Sequence, residues 1–246
     1  MALIWSEHYT VPYFMVNTRE EIHLSSLMEI LIMASEHQTE AFGVGEDKTH
    51  AHGVGWVITQ YHMTFTRLPK VGDKLELRTA ASSRNRFFCY REFWVLDDQG
   101  TELAHVTATF VMMSFSTRKM VPIIDELVAP FHTKEEKTVL KFPRINKMDY
   151  TDALMKPYRV RYQDIDSNHH VNNVHYFDWM IDTLPLDFVL HHALTQVDIR
   201  YEREIQYGDT AESLYLADPE DELATHHLIR HNDEMNTEAI LHWAED

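Results

Sequence analysis

Three polar side chains of different chemistry alternate along a short stretch of this sequence. The carboxylate of Asp166, the amide of Asn168 and the imidazole of His170 occupy every second position. Residues two apart project to the same side of an extended backbone, so we expect the three groups to face one way. Such groups are costly to bury unless they have partners or a chemical role. The alternative for each residue alone is a polar turn with an Asx-type cap and a surface histidine.

The residues after this loop add a second feature that favours an active site. Val171-Asn172-Asn173 begin a pattern that predicts a helix over residues 171–184. The first N–H groups of a helix have no partner within the helix, and they can stabilise a developing oxyanion. The polar spacing and the helix start coincide here, which favours an active site over a plain turn.

The elements that would position these residues appear twice along the chain. Each copy is predicted to contain a strand, a helix and four further strands. The first copy is predicted to have a strand over 9–16, a helix from Ile22 toward Phe42-Gly43, and strands near 55–67, 74–83, 87–97 and 102–116. The second copy is predicted to have a strand near 158–163, a helix near 171–184, and strands near 194–206, 211–217, 224–231 and 237–244.

A direct internal match supports a duplication. Thr59-Gln60 and Gly72-Asp73 correspond to Thr195-Gln196 and Gly208-Asp209 at one constant offset of 136. The periodicity by itself predicts an α+β protein with a repeat. A polar passage punctuated by prolines separates the copies. The expected domains are residues 1–119, a linker over 120–157, and residues 158–246.

The polar loop resembles a signature of the acyl-acyl carrier protein (acyl-ACP) thioesterases. The run Asp166-Ser167-Asn168-His169-His170-Val171-Asn172-Asn173-Val174-His175-Tyr176 resembles the pattern D-x-N-x-H-V-N-N-x-x-Y of that family. In the family the Asp, Asn and His of this pattern belong to the active site. The resemblance therefore implies that role for Asp166, Asn168 and His170.

A second segment resembles the part of the family that holds its catalytic carboxylate. Residues 199–214 resemble Y-R-R-E-C-x-x-x-D-x-x-x-S-L, and Glu204 occupies the position of the Glu. The family's neighbouring Cys is Ile205 here, so a cysteine nucleophile at this position is excluded. The alternative for Glu204 is an ion pair with Arg200 or Arg203 on an exposed strand.

Further matches in the first half extend the resemblance from about residue 10 to residue 215. Residues 55–58, 67–73, 111–113 and 117–119 look like the family's W-x-x, R-x-P-x-x-G-D, V-M-M and T-R-x elements. The resemblance implies a tandem (double) hotdog fold, in which each half is a long helix wrapped by an antiparallel β-sheet. It also implies a thioesterase that hydrolyses fatty acyl-ACP in fatty acid biosynthesis.

The two copies differ in their polar residues. At the offset of 136 Leu68 corresponds to Glu204, and the first copy has no Asp-x-Asn-x-His before its helix. This difference predicts that the second half reacts while the first half holds the substrate. An apolar face of the first-half helix would then line an acyl pocket, or serve as plain core. That face consists of Leu27, Met28, Leu31 and Ile32.

Hydrolysis of a thioester requires an activated water and a stabilised acyl oxygen. Glu204, alone or with His170, is the candidate for activating the water, and Asn168 is the candidate for positioning water or substrate. The N–H groups at residues 171–173 would receive the oxyanion. Asp166 would orient the site, or attack directly to give a transient anhydride. The sequence leaves a general-base route and a covalent route open.

The charge of the chain is unevenly distributed. The net charge is −17, and residues 162–246 hold 3 Lys and Arg against 19 Asp and Glu, whereas residues 1–161 hold 19 against 20. This balance argues against a nucleic-acid partner. A basic segment in the middle of the chain is either a solvated linker face or a docking surface for acyl carrier protein, the partner that the resemblance implies. It consists of Arg118, Lys119, Lys134, Lys137, Lys141, Arg144 and Lys147.

The remaining composition suits a globular protein of a reducing compartment. The single cysteine, Cys89, lies in a strand-like run and is interpreted as a packing residue. The N-terminal residues lack the pattern of a signal peptide, and no apolar run approaches the roughly 20 residues of a membrane span. We therefore expect a cytoplasmic protein with no membrane partner and no cofactor, and with a homodimer as a possible assembly.

Other functions share part of these features. Two groups of histidines suggest a metal site, but neither has a Cys ligand or the His-Glu-x-x-His pattern, so no metal is expected. A non-catalytic acyl-binding hotdog protein would not need the four polar residues together. An acyl-CoA thioesterase differs only in the carrier, and a hydratase would use an Asp/His pair without the downstream Glu. The histidine groups are His169, His170 and His175, and His226, His227 and His231.

Overall fold

The first half of the chain combines one long helix with five antiparallel strands. The computed structural model describes residues 2–246. The elements of this half are β1 (Trp5–Thr10), α1 (Leu24–Ala41), α2 (Glu46–Ala51), β2 (Val54–Phe65), β3 (Lys74–Arg84), β4 (Phe88–Leu96) and β5 (Glu102–Ser114). A 3-10 turn at Tyr13–Met15 follows β1.

The second half repeats this order with a shorter helix. It is preceded by β6 (Met120–Val121), α3 (Asp125–Val128) and β7 (Lys134–Glu135). Its own elements are β8 (Leu154–Arg159), α4 (His175–Thr183), α5 (Leu186–His191), β9 (His192–Tyr201), β10 (Thr210–Ala217), β11 (Ala224–His231) and β12 (Glu234–Glu245). A 3-10 turn at Tyr162–Asp164 follows β8.

The helix α1 forms because its apolar residues recur at helical spacing. Leu27, Met28 and Leu31 are fully buried in the main hydrophobic cluster, where each contributes roughly 1.5–3 kcal/mol of burial free energy. The helix starts at Leu24 and is followed by Gly43, whose φ of +68° is easily adopted by glycine. The predicted helix is thus confirmed to within two residues at its start. Within residues 2–246 no helix has both the length and the apolar composition to cross a membrane.

One sheet joins both halves, and its strand order repeats. The order is β1-β3-β4-β5-β2 in the first half, continued by β9-β12-β11-β10-β8 in the second. Read outward from the centre, the two halves have the same order of equivalent strands. β2 and β9 pair antiparallel at the centre, where His62 lies opposite Asp198 at the sequence offset of 136. A pseudo-twofold axis passes through this pair, and the predicted tandem hotdog is confirmed.

Two first strands lie earlier in the chain than predicted. The strand predicted over 9–16 is β1, which ends at Thr10. Pro12 has no N–H to donate to a neighbouring strand, and the chain turns into a 3-10 turn instead. The strand predicted near 158–163 is β8, which ends at Arg159 before the equivalent turn.

The strand β9 also ends earlier than predicted, which changes the setting of Glu204. The N–H groups of Glu202 and Arg203 both donate to the carbonyl of Asn236, at 2.8 and 3.2 Å. These bonds tie the chain to β12 after Tyr201, so it no longer follows β2. Glu204 therefore lies in the loop between β9 and β10, and not on a strand.

The segment expected as a linker carries short elements of its own. Leu127 and Phe131 are buried in a second hydrophobic cluster formed with first-half residues. β7 pairs with β3, and the N–H of Leu140 donates to Tyr90 Oη at 2.9 Å. β8 already begins at Leu154. The division into residues 1–119, 120–157 and 158–246 stays a prediction.

Candidate active site

Backbone hydrogen bonds close the base of the predicted polar loop. The N–H of Asp166 donates to the carbonyl of His170 at 3.0 Å, and the N–H of Asn172 donates to the carbonyl of Asp164 at 2.8 Å. These two bonds join the sides of the loop as an isolated antiparallel bridge. The loop is thus a short, closed hairpin between the 3-10 turn and α4.

An ion pair between the buried Asp164 and the exposed Arg161 anchors this base. Asp164 is 1% exposed. Its Oδ1 accepts from Nη2 of Arg161 at 2.6 Å, and its Oδ2 accepts from the N–H of Arg161 at 2.7 Å. Burial raises the pKa of the Asp164 carboxyl, but the bonds from Arg161 outweigh it and leave the pKa below its usual value. The ionised carboxylate therefore fixes the start of the loop.

The side chain of Asp166 is turned onto its own loop. Its Oδ1 accepts the N–H of Asn168 at 2.8 Å, and its Oδ2 lies 3.4 Å from Nδ2 of Asn168. His169 has a φ of +68°, the left-handed conformation of a tight turn. The Asx-type turn considered from the sequence is therefore present. Asn168 is exposed, and its amide meets Asp166.

His170 lies between two carboxylates. Its Nε2 is 3.5 Å from Oε1 of Glu204, and its Nδ1 is 3.8 Å from Oδ1 of Asp166. Nδ1 is also 3.3 Å from the carbonyl oxygen of Val171. A neutral imidazole carries one N–H, so it can donate to the acceptors on one side only. The ring can therefore donate either toward Glu204 or toward Asp166 and the carbonyl of Val171, but not in both directions at once.

Backbone contacts hold Glu204 beside this ring. The carbonyl of Ile205, a fully buried residue, accepts the N–H of Val171 at 2.8 Å. The carbonyl of Glu204 itself accepts from Nδ2 of Asn236 at 3.3 Å. The chain is thus fixed on both sides of the Glu204 side chain, which remains 36% exposed.

The partner of Glu204 comes from the first half of the chain. Its Oε2 forms an ion pair with Nη2 of Arg118, which lies in the turn between β5 and β6. The sequence alternative of a pair with Arg200 or Arg203 is wrong. Arg200 instead contacts Glu202 at 2.6 Å, and Arg203 pairs with Glu234. Arg118 was visible in the sequence only as part of the T-R-x element and of the basic segment.

The expectation for the oxyanion donors is corrected in two of three positions. α4 begins at His175, and not at Val171, because the N–H groups of Val171 and Asn172 bond to the carbonyls of Ile205 and Asp164. These two groups are therefore occupied. Within residues 2–246 the N–H of Asn173 has no such acceptor.

Two tyrosines, the buried Tyr61 of the first half and the partly buried Tyr201 of the second, hold Asn173. Tyr201 Oη donates to the carbonyl of Asn173 at 3.1 Å, and Nδ2 of Asn173 lies 3.4 Å from Tyr61 Oη. Burial raises the pKa of both tyrosines, so their hydroxyl groups stay protonated. These positioning contacts were not predicted from the sequence, which contains no short-range signal for them.

In the equivalent loop of the first half the polar residues form ion pairs. The bridge at Val16 and Ile22 matches that of the second half, so Asn17, Arg19 and Glu21 occupy the positions of the three polar residues. The guanidinium of Arg19 contacts Glu21 at 3.1 Å and Asp246 at 2.5 Å.

Arg19 also binds the end of the short helix α5. Its Nη1 donates to the carbonyls of Val189, Leu190 and His192 at 3.3, 3.2 and 3.0 Å. A cation suits the negative end of a helix. The first copy therefore uses this loop to join the halves, whereas the second copy carries the polar site.

Cys89 and the second histidine group lie outside this loop. Cys89 is buried on β4, and burial raises the pKa of its thiol to about 11. His226 pairs with Asp218 at 2.7 Å, and His227 is fully buried. Among residues 2–246 no group of three or more His, Cys, Asp or Glu is arranged to hold a metal ion.

Family models match both halves of the chain. The acyl-ACP thioesterase N-terminal domain matches residues 2–131, and the acyl-ACP thioesterase C-terminal domain matches residues 147–245. Oleoyl-acyl carrier protein thioesterase 1, chloroplastic, from Arabidopsis thaliana is 26% identical over 237 residues, which cover 87% of this chain. The match spans 64% of the plant protein, just under two thirds of its length.

Two solved structures are similar over nearly the whole chain. A protein from Lactobacillus plantarum, provisionally assigned as an oleoyl thioesterase, is 41% identical, with a TM-score of 0.96 over 99% of this chain and 97% of that one. The 12:0-ACP thioesterase from Umbellularia californica is 20% identical, with a TM-score of 0.88 over 99% and 98% of the two chains. The second likeness concerns the fold alone.

Proposed function

Because this chain belongs to the acyl-ACP thioesterase family, we propose that it hydrolyses fatty acyl-ACP to a free fatty acid and acyl carrier protein. The observation that carries the proposal is the contact of one imidazole, His170, with two carboxylates, Asp166 and Glu204. Such a group can take a proton from water and return it to a leaving group.

We assign the activation of water to Glu204 with His170. A water beside Oε1 of Glu204 and Nε2 of His170, which lie 3.5 Å apart, loses a proton to this pair as its oxygen attacks the thioester carbon. The C–S bond breaks when the tetrahedral intermediate collapses, and the departing thiolate receives the proton. One water thus yields one carboxylic acid and one thiol.

Asp166 is assigned an orienting role. Its Oδ1 accepts the N–H of Asn168 and faces His170, and its Oδ2 faces the Asn168 amide. A carboxylate that attacks to form an anhydride needs an oxygen free to approach the carbonyl carbon. The contacts of both oxygens support the general-base route over the covalent one.

The remaining groups of the loop can complete the site. The exposed amide of Asn168 is suited to positioning water or substrate. The N–H of Asn173 is the donor left at the start of the helix region, so it is our candidate for stabilising the oxyanion. Both assignments place the thioester carbonyl between the loop and α4.

The first half is proposed to hold the acyl chain. The charged side chains of its polar loop are engaged in the ion pairs of Arg19, so this loop offers no equivalent reactive groups. Its helix α1 has 18 residues, whereas α4 has 9, and its apolar face is packed in the main hydrophobic cluster, which an acyl chain would have to enter. A fatty acyl chain is stabilised by apolar surface at about 25 cal/mol per Å².

The proposed carrier is acyl carrier protein, an acidic partner, and the charge of the chain limits where it can dock. Residues 162–246 are strongly acidic, so an acidic partner is repelled from most of the second half. The basic segment, from Arg118 to Lys147, begins in the turn that reaches Glu204 and offers the opposite charge. We place this reaction in the cytoplasm, where a single buried thiol is stable.

A panel of acyl-ACP and acyl-CoA substrates of several chain lengths tests the function. Purified protein is incubated with each thioester, and the released fatty acid is quantified over time. We expect turnover of acyl-ACP to exceed that of acyl-CoA. Equal or faster turnover of acyl-CoA would overturn the carrier assignment. Release from neither carrier, with tight binding of the acyl group, would favour a non-catalytic acyl-binding protein.

A further inference from the structure

Glu204, in the loop between β9 and β10 of the second half, is contacted by Arg118, a cation of the first half. We propose that Arg118 is a positioning residue, which holds the carboxylate of Glu204 so that its other oxygen faces His170. This inference rests on the proposed function, because it assigns Arg118 a role in the same hydrolysis. Arg118 acts through Glu204, and it needs no contact with the substrate.

The division of the carboxylate between two partners is the first observation. Oε2 of Glu204 pairs with Nη2 of Arg118, while Oε1 lies 3.5 Å from Nε2 of His170. The Glu204 side chain is 36% exposed, and without a partner its terminal bonds would rotate freely. A guanidinium on one oxygen restricts the rotation of the carboxylate and thus favours one direction for the other oxygen.

The backbone of Arg118 is the second observation. Its φ is +54°, a left-handed conformation that is uncommon for residues other than Gly, Asn and Asp. The turn is closed by the N–H of Arg118 donating to the carbonyl of Ser114 at 2.9 Å, and by the N–H of Ser114 donating to Lys119. The turn thus holds Arg118 in a conformation that it would otherwise rarely adopt, and this fixes where its side chain begins.

The neighbouring arginines are engaged elsewhere and do not serve as substitutes. Arg203 is adjacent to Glu204 in sequence but pairs with Glu234, and Arg200 pairs with Glu202. Arg118 reaches Glu204 across 86 positions of sequence. The second half alone would therefore carry the reacting groups but lack the cation that orients one of them.

Steady-state kinetics of three variants of the full chain test this role. Arg118→Gln should lower kcat about five- to tenfold with KM little changed, because an exposed ion pair contributes modestly. Arg118→Lys should recover part of the loss. Arg203→Gln is the matched control, since it breaks an exposed ion pair next to Glu204 without touching that carboxylate, and its kcat should equal that of wild type.

A double-mutant cycle identifies the partner through which Arg118 acts. In a Glu204→Gln background the added Arg118→Gln change should cost no further activity, because the oriented charge is already absent. Should Arg118→Gln fail to fold, Arg118→Gly replaces it, since glycine adopts this φ without strain. Its kcat should fall by the same factor.

The outcomes distinguish this inference from the proposed function. If wild type releases no fatty acid, the proposed function falls and the role of Arg118 falls with it. If wild type is active and Arg118→Gln keeps its kcat, only the positioning role is overturned. A raised KM at constant kcat would likewise overturn it, because Arg118 would then be a carrier-binding residue. Additive losses in the double variant would overturn it too, because Arg118 would then act independently of Glu204.

Discussion

Replacing Glu204 by glutamine removes one negative charge and leaves the shape of the side chain almost unchanged. The amide can still meet Arg118 and His170, but it cannot take a proton from water. A positioned general base typically contributes 10² to 10⁴ in rate. We therefore expect kcat of Glu204→Gln to fall by about a hundredfold or more, equivalent to roughly 3 kcal/mol or more in the activation barrier.

The same substitution should barely affect stability. The ion pair with Arg118 has side chains that are 57% and 36% exposed, and such pairs contribute less than about 1 kcal/mol. The backbone bond from Val171 to Ile205, at 2.8 Å, does not involve the replaced carboxylate. In a chain of 246 residues a loss of this size lowers Tm by about 4 °C at most.

Single-turnover and steady-state release of fatty acid from acyl-ACP, with thermal unfolding of the same preparations, measure both effects. Glu202→Gln is the control, because it makes the same chemical change two positions away, where the carboxylate pairs with Arg200. A folded Glu204→Gln protein with near-wild-type kcat would refute the reasoning. Glu204 would then be a structural ion-pair residue, and activation of water would have to be assigned to Asp166 or His170.

Substitutions away from the loop should separate stability from turnover. Cys89→Ser should keep kcat within about twofold of wild type, because the thiol is buried and its pKa is raised to about 11. Steady-state rates test this, and a hundredfold loss in a folded variant would revive a thiol mechanism. Arg19→Gln should lower the free energy of unfolding by about 2 kcal/mol with kcat unchanged, because three carbonyls and two carboxylates lose their donor. Urea denaturation measures this free energy, and an unchanged value would contradict the prediction. Burial lowers the pKa of His227 from 6.5 to about 3. Below pH 6.5 the unfolded chain therefore binds a proton at this residue that the folded chain does not. Between about pH 7 and pH 4.5 this difference lowers the free energy of unfolding by about 2–3 kcal/mol. His227→Leu should flatten that acid slope in urea titrations, whereas an unchanged slope would rule out His227 as its source.

The sequence predicts most of the fold because its patterns are local. The strands β2, β3, β4 and β5 lie within two residues of their predicted bounds, since alternation and turn residues mark each of them. The first strands were misplaced because alternation continued past Pro12 into a 3-10 turn. Alternation of polar and apolar residues does not by itself show where hydrogen bonding to a neighbouring strand ends.

The site was predictable only where its residues are close in sequence. Asp166, Asn168 and His170 stand on one loop, but that loop is a closed turn with a φ of +68° at His169, and not the extended backbone inferred from their spacing. The partner of Glu204 was not predictable from the sequence, because Arg200 and Arg203 offer the same charge nearby. Arg118 lies in a turn of the other half and contacts Glu204 only in the folded chain. The offset between Leu68 and Glu204 did indicate which half would lack the polar groups.

The pair of His62 and Asp198 at the centre of the sheet bears on how such a molecule can evolve. In an assembly of two identical chains, a residue on the twofold axis must face its own copy, so an acid meets an acid and a base meets a base. Here His62 meets Asp198, with Nδ1 and Oδ1 2.7 Å apart. Covalent joining of the two copies frees each position from its twin. A mutation then alters one side of the molecule only, and unlike partners can accumulate even where symmetry would otherwise forbid them.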